Sequence, residues 1–242
     1  MLSGETDHSR PPIVIIGGFL SFTSLYGELA ETLRDIAGTS VSIVPTRSAD
    51  WLGAAFPIGW LPLLRRLDRT VRASTSDANS DQVTLVAHSA GGVLARIYLS
   101  AEPFFGTTFR GLDVVTRLIT LGTPHDGGGK LIYGGVMSGW ANQRYPGAFY
   151  ADQVTYVSVA GRSVAGNPTG TPQERRAYRA YRGMTEDGLA WGDGVVPVGS
   201  ALLSGAKPVI LDGVGHFEGF GPAWYGSREI VPQWWSVASA TD

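Results

Sequence analysis

Ser89 has the strongest claim to chemistry in this chain. It sits in VTLVAHSAGG (residues 83–92), where an apolar, β-branched run ends in Ala87-His88-Ser89-Ala90-Gly91-Gly92 and VLARIYLS continues as a helix. Strand, tight turn and helix is the context in which a G-x-S-x-G elbow presents a nucleophilic hydroxyl. The turn strains the serine backbone and requires small residues two positions before and after it. Ala87 and Gly91 meet that need, with alanine replacing the first glycine of the motif. Read without its surroundings, the stretch would be a strand-to-helix turn that contains a serine.

A nucleophilic serine needs a base, an orienting acid and an oxyanion hole, in the chain order Ser, Asp or Glu, His. Of four histidines, His8 lies in a polar N-terminal stretch, His88 belongs to the elbow and is expected to pack beside the turn, and His125 follows the run VVTRLITLGTP. His216 comes after PVILDGVG, the last clear strand pattern, and is the expected base. Asp193, in Trp191-Gly192-Asp193-Gly194 before VVPV, is the first choice of acid, with a plain Asp-Gly turn as the alternative. Asp212 competes, but four residues before His216 and on the strand itself it should point into or across the sheet. Glu186 and Asp187, in a polar stretch with no strand leading in, are weaker. The oxyanion hole should be built from backbone amides. Ala90 N–H opens the helix after the nucleophile, where the dipole favours negative charge. Phe19 N–H follows the strand Ile13–Ile16 and Gly17-Gly18. A dinucleotide loop is disfavoured there, because GGFLSF lacks the third glycine of G-x-G-x-x-G and no acidic residue ends VSIVP.

Together these segments resemble an α/β-hydrolase of the bacterial lipase or esterase type. The resemblance rests on GGF, AHSAGG (an AHS-x-G elbow), LGTPHDG at 121–127, GDGVVP at 192–197 and GVGH at 213–216, all in order. One departure is Gly17-Gly18 where such lipases carry His-Gly, which leaves the support of the oxyanion loop unassigned. The resemblance implies hydrolysis of carboxylic esters through an acyl-enzyme, with Ser89, Asp193, His216, Phe19 and Ala90 at the matching positions and no cofactor or metal. The alternatives are an acyltransferase using the same serine, and a catalytically silent binding protein on the same scaffold.

The elements fit that expectation. SLYGELAETLRDIAG, WLPLLRRLDRTVRAST and GVLARIYLSAE read as helices. They alternate with strand-like VSIVP, VTLVAHS, VVTRLITLG, VTYVSVAG and KPVILDG, which predicts an α/β architecture with a mostly parallel sheet covered on both faces. No repeat or linker divides residues 1–242, so one domain is expected. A net charge of −2 without a basic stripe argues against a nucleic-acid partner. The absence of cysteine excludes disulfides, a thiol nucleophile and thiolate metal sites. MLSGETDHSRPP is polar and no apolar run of about 18 residues occurs. The expectation is a cytoplasmic protein, or the mature form of a trimmed one.

Residues 125–190 are the least regular and are expected to form a cap-like or lid-like excursion over the C-terminal edge of the sheet, where open α/β folds bind ligands. Trp140, Tyr145, Phe149 and Tyr150 are the expected wall of an acyl or alcohol pocket, with a satellite core under a long loop as the equal alternative. Glycines 127–129 and 134–135 would permit a lid to move. Its arginines, Arg144, Arg162, Arg175, Arg176, Arg179 and Arg182, make it too polar a mixture for a surface meant to enter lipid. The expected substrates are therefore small-molecule or lipid esters with short-to-medium acyl chains. Contact with a lipid surface would be transient, and no obligate partner is indicated.

Overall fold

The computed structural model describes residues 10–127 and 135–240. Among them the chain runs through β1 (Ile13–Ile16), α1 (Gly27–Ala37), β2 (Val41–Ile43), α2 (Leu61–Asp77), β3 (Val83–His88), α3 (Ala90–Tyr98), β4 (Val115–Leu121), α4 (Gly135–Arg144) and β5 (Thr155–Arg162). The second half adds β6 (Val164–Ala165), α5 (Pro172–Thr185), β7 (Trp191–Gly192), the single turn α6 (Val198–Ala201), β8 (Lys207–Asp212), β9 (Val214–Gly215), β10 (Ala223–Trp224) and α7 (Val231–Ser239).

Six strands form one sheet in the order β2-β1-β3-β4-β5-β8, every pair parallel. Strand periodicity divides the core. On β1, Val14 and Ile16 pack with Leu63, Leu64 and Leu67 of α2 and Val93 and Leu94 of α3. Ile13 and Ile15 face the other way, with Leu29 and Leu33 of α1 and Trp234 of α7. Both faces are thus buried, which is why strands such as IVII read as continuous apolar runs. Helix ends follow local chemistry. Gly38 takes φ 64° and returns its N–H to the Arg34 carbonyl at 3.0 Å, closing α1. Thr171 and Glu174 form a reciprocal capping box at the start of α5. Between β2 and α2 the chain winds through two 3-10 stretches, Ser48–Ala55 and Pro57–Trp60, that periodicity did not anticipate.

The expected excursion over 125–190 is corrected in one respect. β5 lies inside it and is a full sheet strand between β4 and β8, so the segment is split in two by the core. Val157 and Val159 carry the buried apolar pattern that holds β5 in place. Arg162 ends β5 and pairs with Asp212, and Arg144 lies over the Trp140 ring at 4.2 Å, so neither belongs to a lid surface. Of the glycines proposed as hinges, 128, 129 and 134 lie outside the described residues. Among the described residues, no helix is long and apolar enough to cross a membrane.

Candidate active site

Ser89 occupies the turn between β3 and α3 with φ 54° and ψ −131°, a region L-residues seldom adopt. Its N–H extends the sheet ladder to the Leu121 carbonyl (2.9 Å), and its carbonyl accepts from Gly92 N–H (3.0 Å). The side chain is thereby lifted off the end of the sheet. The small residue two positions on has a direct cause. A Cβ on Gly91 would lie 2.6 Å from the Gly17 carbonyl oxygen and 2.8 Å from that of Ile16. α3 can start only where it abuts the end of β1.

His216 follows β9, which pairs with β10, and its ring reaches back over Ser89. His216 Nε2 lies 3.0 Å from Ser89 Oγ, and Nδ1 lies 2.7 Å from Asp193 Oδ2. Asp193 is wholly buried, and donors converge on its carboxylate. Oδ1 accepts the Val195 and Val196 amides at 3.0 and 2.7 Å, and Oδ2 accepts the Tyr225 hydroxyl at 2.8 Å in addition to His216. Four donors compensate a buried carboxylate that would otherwise be very costly. The acid loop is tied to its surroundings as well. His216 N–H donates to the Asp193 carbonyl at 2.9 Å, and Gly194 N–H donates to the Tyr181 hydroxyl of α5 at 2.8 Å. Burial and the Asp193 charge push Tyr225 and Tyr181 well above the ordinary phenol range, so both remain protonated donors.

The two expected oxyanion donors line the same cleft as Ser89 and His216. Among the described residues neither the Phe19 nor the Ala90 amide has a backbone acceptor. The peptide linking Gly18 to Phe19 is held at its carbonyl end, which accepts Ser21 N–H (3.2 Å) and Ser21 Oγ (2.7 Å). Because a peptide is planar, this also fixes the direction of the Phe19 N–H. Gly18 packs against Ser89 so closely that a Cβ would sit 2.4 Å from Ser89 Cβ. Support for this loop comes from Tyr26, whose hydroxyl accepts Gly18 N–H at 3.1 Å.

The other candidates separate cleanly. Asp212 is exposed at the end of the edge strand β8, where it pairs with Arg162, and it approaches neither Ser89 nor His216. Asp187 takes up a local turn, its carboxylate accepting Leu189 N–H at 2.9 Å. Glu186 is the exposed left-handed residue closing α5. His125 is buried below the end of β4, with Nε2 3.0 Å from Thr120 Oγ1. His88 is buried beside the turn, its ring centroid 4.7 Å from that of His216. His8 lies outside the described residues.

The expected aromatic pocket is corrected. Trp140, Tyr145, Phe149 and Tyr150 pack on one another and on Phe104, with centroid separations of 4.9–6.1 Å. They form a satellite of the α3 side of the core, because α4 is clamped to α3 through Arg96, which donates to Asn142 and to the Tyr145 carbonyl. The cleft at Ser89 is instead walled by Phe19, Pro124, Met184, Val195, Val196 and Phe217, around a volume of about 150 Å³. Met184 arrives on the buried face of α5, and Val195 and Val196 come from the acid loop. Sequence reasoning named Phe19 but missed the other wall residues and the tyrosines Tyr26, Tyr181 and Tyr225. Val195 and Val196 stood in the VVPV run but served only to anchor the loop, and the tyrosines lie far from the motifs in sequence.

A parallel sheet wound in this order, with serine, histidine and aspartate on its C-terminal edge, is the α/β-hydrolase fold. No protein-family model matches the chain, and no curated protein matches it. Solved structures resemble the chain. The crystal structure of a gene product from Listeria innocua is similar with a TM-score of 0.54 and 16% identity, over 96% of each chain. A "predicted CIB-like hydrolase" from Thermoplasma acidophilum is similar with a TM-score of 0.48 and 13% identity, over 98% of this chain and 90% of the other.

Proposed function

We propose that the protein is a serine hydrolase of carboxylic esters that works through an acyl-enzyme. The observation that carries this reading is the continuous chain from Ser89 Oγ through His216 (3.0 Å) to Asp193 (2.7 Å), at a cleft lined by Phe19 and Ala90. Ser89 Oγ attacks the ester carbonyl carbon while His216 Nε2 takes its proton, and the carbonyl oxygen becomes an oxyanion held by the Phe19 and Ala90 amides. Collapse breaks the bond to the alkoxy oxygen, which leaves as the alcohol with the proton from His216. Water then adds to the acyl carbon, giving a proton to His216. The second collapse releases the acid and returns that proton to Ser89 Oγ. Asp193 holds the imidazole with Nδ1 protonated and offsets its charge.

The wall chemistry supports the substrate class. A volume of about 150 Å³ falls below the roughly 300–1,000 Å³ of sites for drug-sized ligands. A short acyl chain against Met184, Val195 and Val196 suits it better than a long one. Ser89→Ala should lower the turnover of p-nitrophenyl butyrate by about 10³-fold or more while circular dichroism stays unchanged, and wild type should take up one fluorophosphonate per chain. Near-normal turnover in a folded Ser89→Ala variant refutes the assignment, and an unlabelled wild type points to a silent binding protein.

A further inference from the structure

Beside the three residues used in that chemistry lies a buried pair that it leaves idle. Tyr26 and His88 are both fully enclosed. The Tyr26 hydroxyl is 2.9 Å from His88 Nδ1 and 3.1 Å from the Gly18 amide, and His88 Nε2 is 3.1 Å from the carbonyl oxygen of His216.

The direction of each bond follows from which groups can donate. A peptide carbonyl only accepts, so His88 Nε2 carries a hydrogen. Burial, followed by the nearby His216, holds the His88 pKa well below the usual histidine range, so the ring is neutral and Nδ1 is an acceptor. The Tyr26 hydroxyl must then donate to Nδ1, and burial pushes its own pKa up to about 12. Its oxygen is left free to accept from Gly18 N–H. The result is a one-way chain: Gly18 N–H to Tyr26, Tyr26 O–H to His88, His88 Nε2–H to the His216 carbonyl.

The two ends of this chain are the parts of the site that must hold register with each other. Gly18 precedes Phe19, the expected oxyanion donor, and touches Ser89, while His216 carries the base. We propose that Tyr26 and His88 are positioning residues, a relay that sets the oxyanion loop and the base histidine as one unit. The inference rests on the serine-hydrolase reading. It also assigns a reason for histidine beside the nucleophile: an imidazole can accept at one nitrogen and donate at the other across the span between Tyr26 and the His216 backbone.

Tyr26→Phe keeps the ring and removes the hydroxyl, leaving Gly18 N–H and His88 Nδ1 without their partner. With p-nitrophenyl butyrate, kcat should fall about tenfold or more and KM should stay within about twofold, because the loss is felt where the oxyanion forms. Affinity for a trifluoromethyl ketone, whose hemiketal oxyanion occupies the same hole, should weaken by a similar factor. A hydroxyl of merely structural value would lower Tm and leave kcat and ketone affinity unchanged well below the transition, and that result overturns the relay. Nitrogen-15 NMR of histidine-labelled wild type provides a readout independent of turnover. His88 should remain a neutral Nε2–H tautomer from about pH 5 to 8, and its Nδ1 resonance should move in Tyr26→Phe. An Nδ1–H tautomer, or a His88 that titrates in this range, also overturns the proposal. Failure of wild type to react with a fluorophosphonate would refute the hydrolase reading. An active, labelled wild type whose Tyr26→Phe variant keeps full kcat and ketone affinity refutes the relay alone.

Discussion

Asp193→Asn tests the acid with little change in shape, and the structure specifies how it should fail. Oδ1 of Asp193 accepts two backbone amides, Val195 and Val196, which can only donate. An asparagine must therefore place its oxygen there, which directs its NH2 toward His216 Nδ1 and the Tyr225 hydroxyl. That NH2 donates to Nδ1 and forces the hydrogen onto Nε2, where the ring must instead accept the Ser89 proton. The flipped amide would set an NH2 against two N–H donors around the buried Asp193 position, leaving them unpaired at about 1–3 kcal/mol each. The wrong tautomer should therefore prevail, and kcat should fall by about 10⁴-fold, about 5.5 kcal/mol at the transition state. The loop keeps its two amide bonds while the Tyr225 O–H loses its acceptor at about 1–3 kcal/mol, so Tm should fall by several degrees without loss of the fold. The assay is steady-state hydrolysis of p-nitrophenyl butyrate, with Asp212→Asn as the comparison. Asp212 is exposed and, among the described residues, its ion pair is with Arg162 on the edge of the sheet, so that variant should retain activity. An Asp193→Asn enzyme within about tenfold of wild type, or a folded but inactive Asp212→Asn, would rule out Asp193 as the acid.

Three further outcomes follow from the same geometry. Gly18→Ala would place a Cβ 2.4 Å from Ser89 Cβ, so kcat should drop at least about 100-fold, the scale of one lost oxyanion donor. Gly199→Ala, where an added Cβ meets nothing within 4 Å, is its control, and equal activity in the two would contradict the packing argument. Met184→Ala opens the acyl wall and should shift the best p-nitrophenyl ester toward longer chains, at about 2–5 kcal/mol of stability; an unchanged chain-length profile would remove Met184 from the pocket. Stability should also fall with acidity. Burial holds His88 and His125 below the ordinary histidine pKa of 6.5, so below about pH 6.5 only the unfolded chain gains their protons. Each histidine then removes up to about 1.4 kcal/mol per pH unit. Urea unfolding at about pH 7, 6 and 5 measures the slope, which should be shallower in His125→Gln; a flat profile would mean that these rings protonate in the folded state.

Local information carried the strands and helices that run through the sheet. IVII, VTLVAH, VTRLITL and TYVSVAGR are apolar because both faces of a parallel sheet are covered, so their periodicity and order are legible without a structure. The same holds for the placement of Ser89 on a strand-to-helix turn and for the order of Ser89, Asp193 and His216. What the linear chain cannot express is distance across the fold. Nothing between residues 89 and 216 tells that Nε2 comes to 3.0 Å from Oγ, or that Tyr225, Tyr181 and Tyr26 form hydrogen bonds with Asp193, its loop and the loop after β1. The aromatic run Trp140–Tyr150 shows the limit most plainly. Its composition suits a pocket wall or a satellite core equally well, and the decision belongs to Arg96, a buried cation of α3 that draws the end of α4 onto itself. The cleft at Ser89 is walled instead by Met184 and the VVPV loop, because the antiparallel pairing of β6 and β7 brings Asp193 and its flanking valines back over Ser89. Residue types and their order follow from local chemistry, whereas which apolar group faces which reactive atom is settled only when long-range hydrogen bonds and packing close the chain.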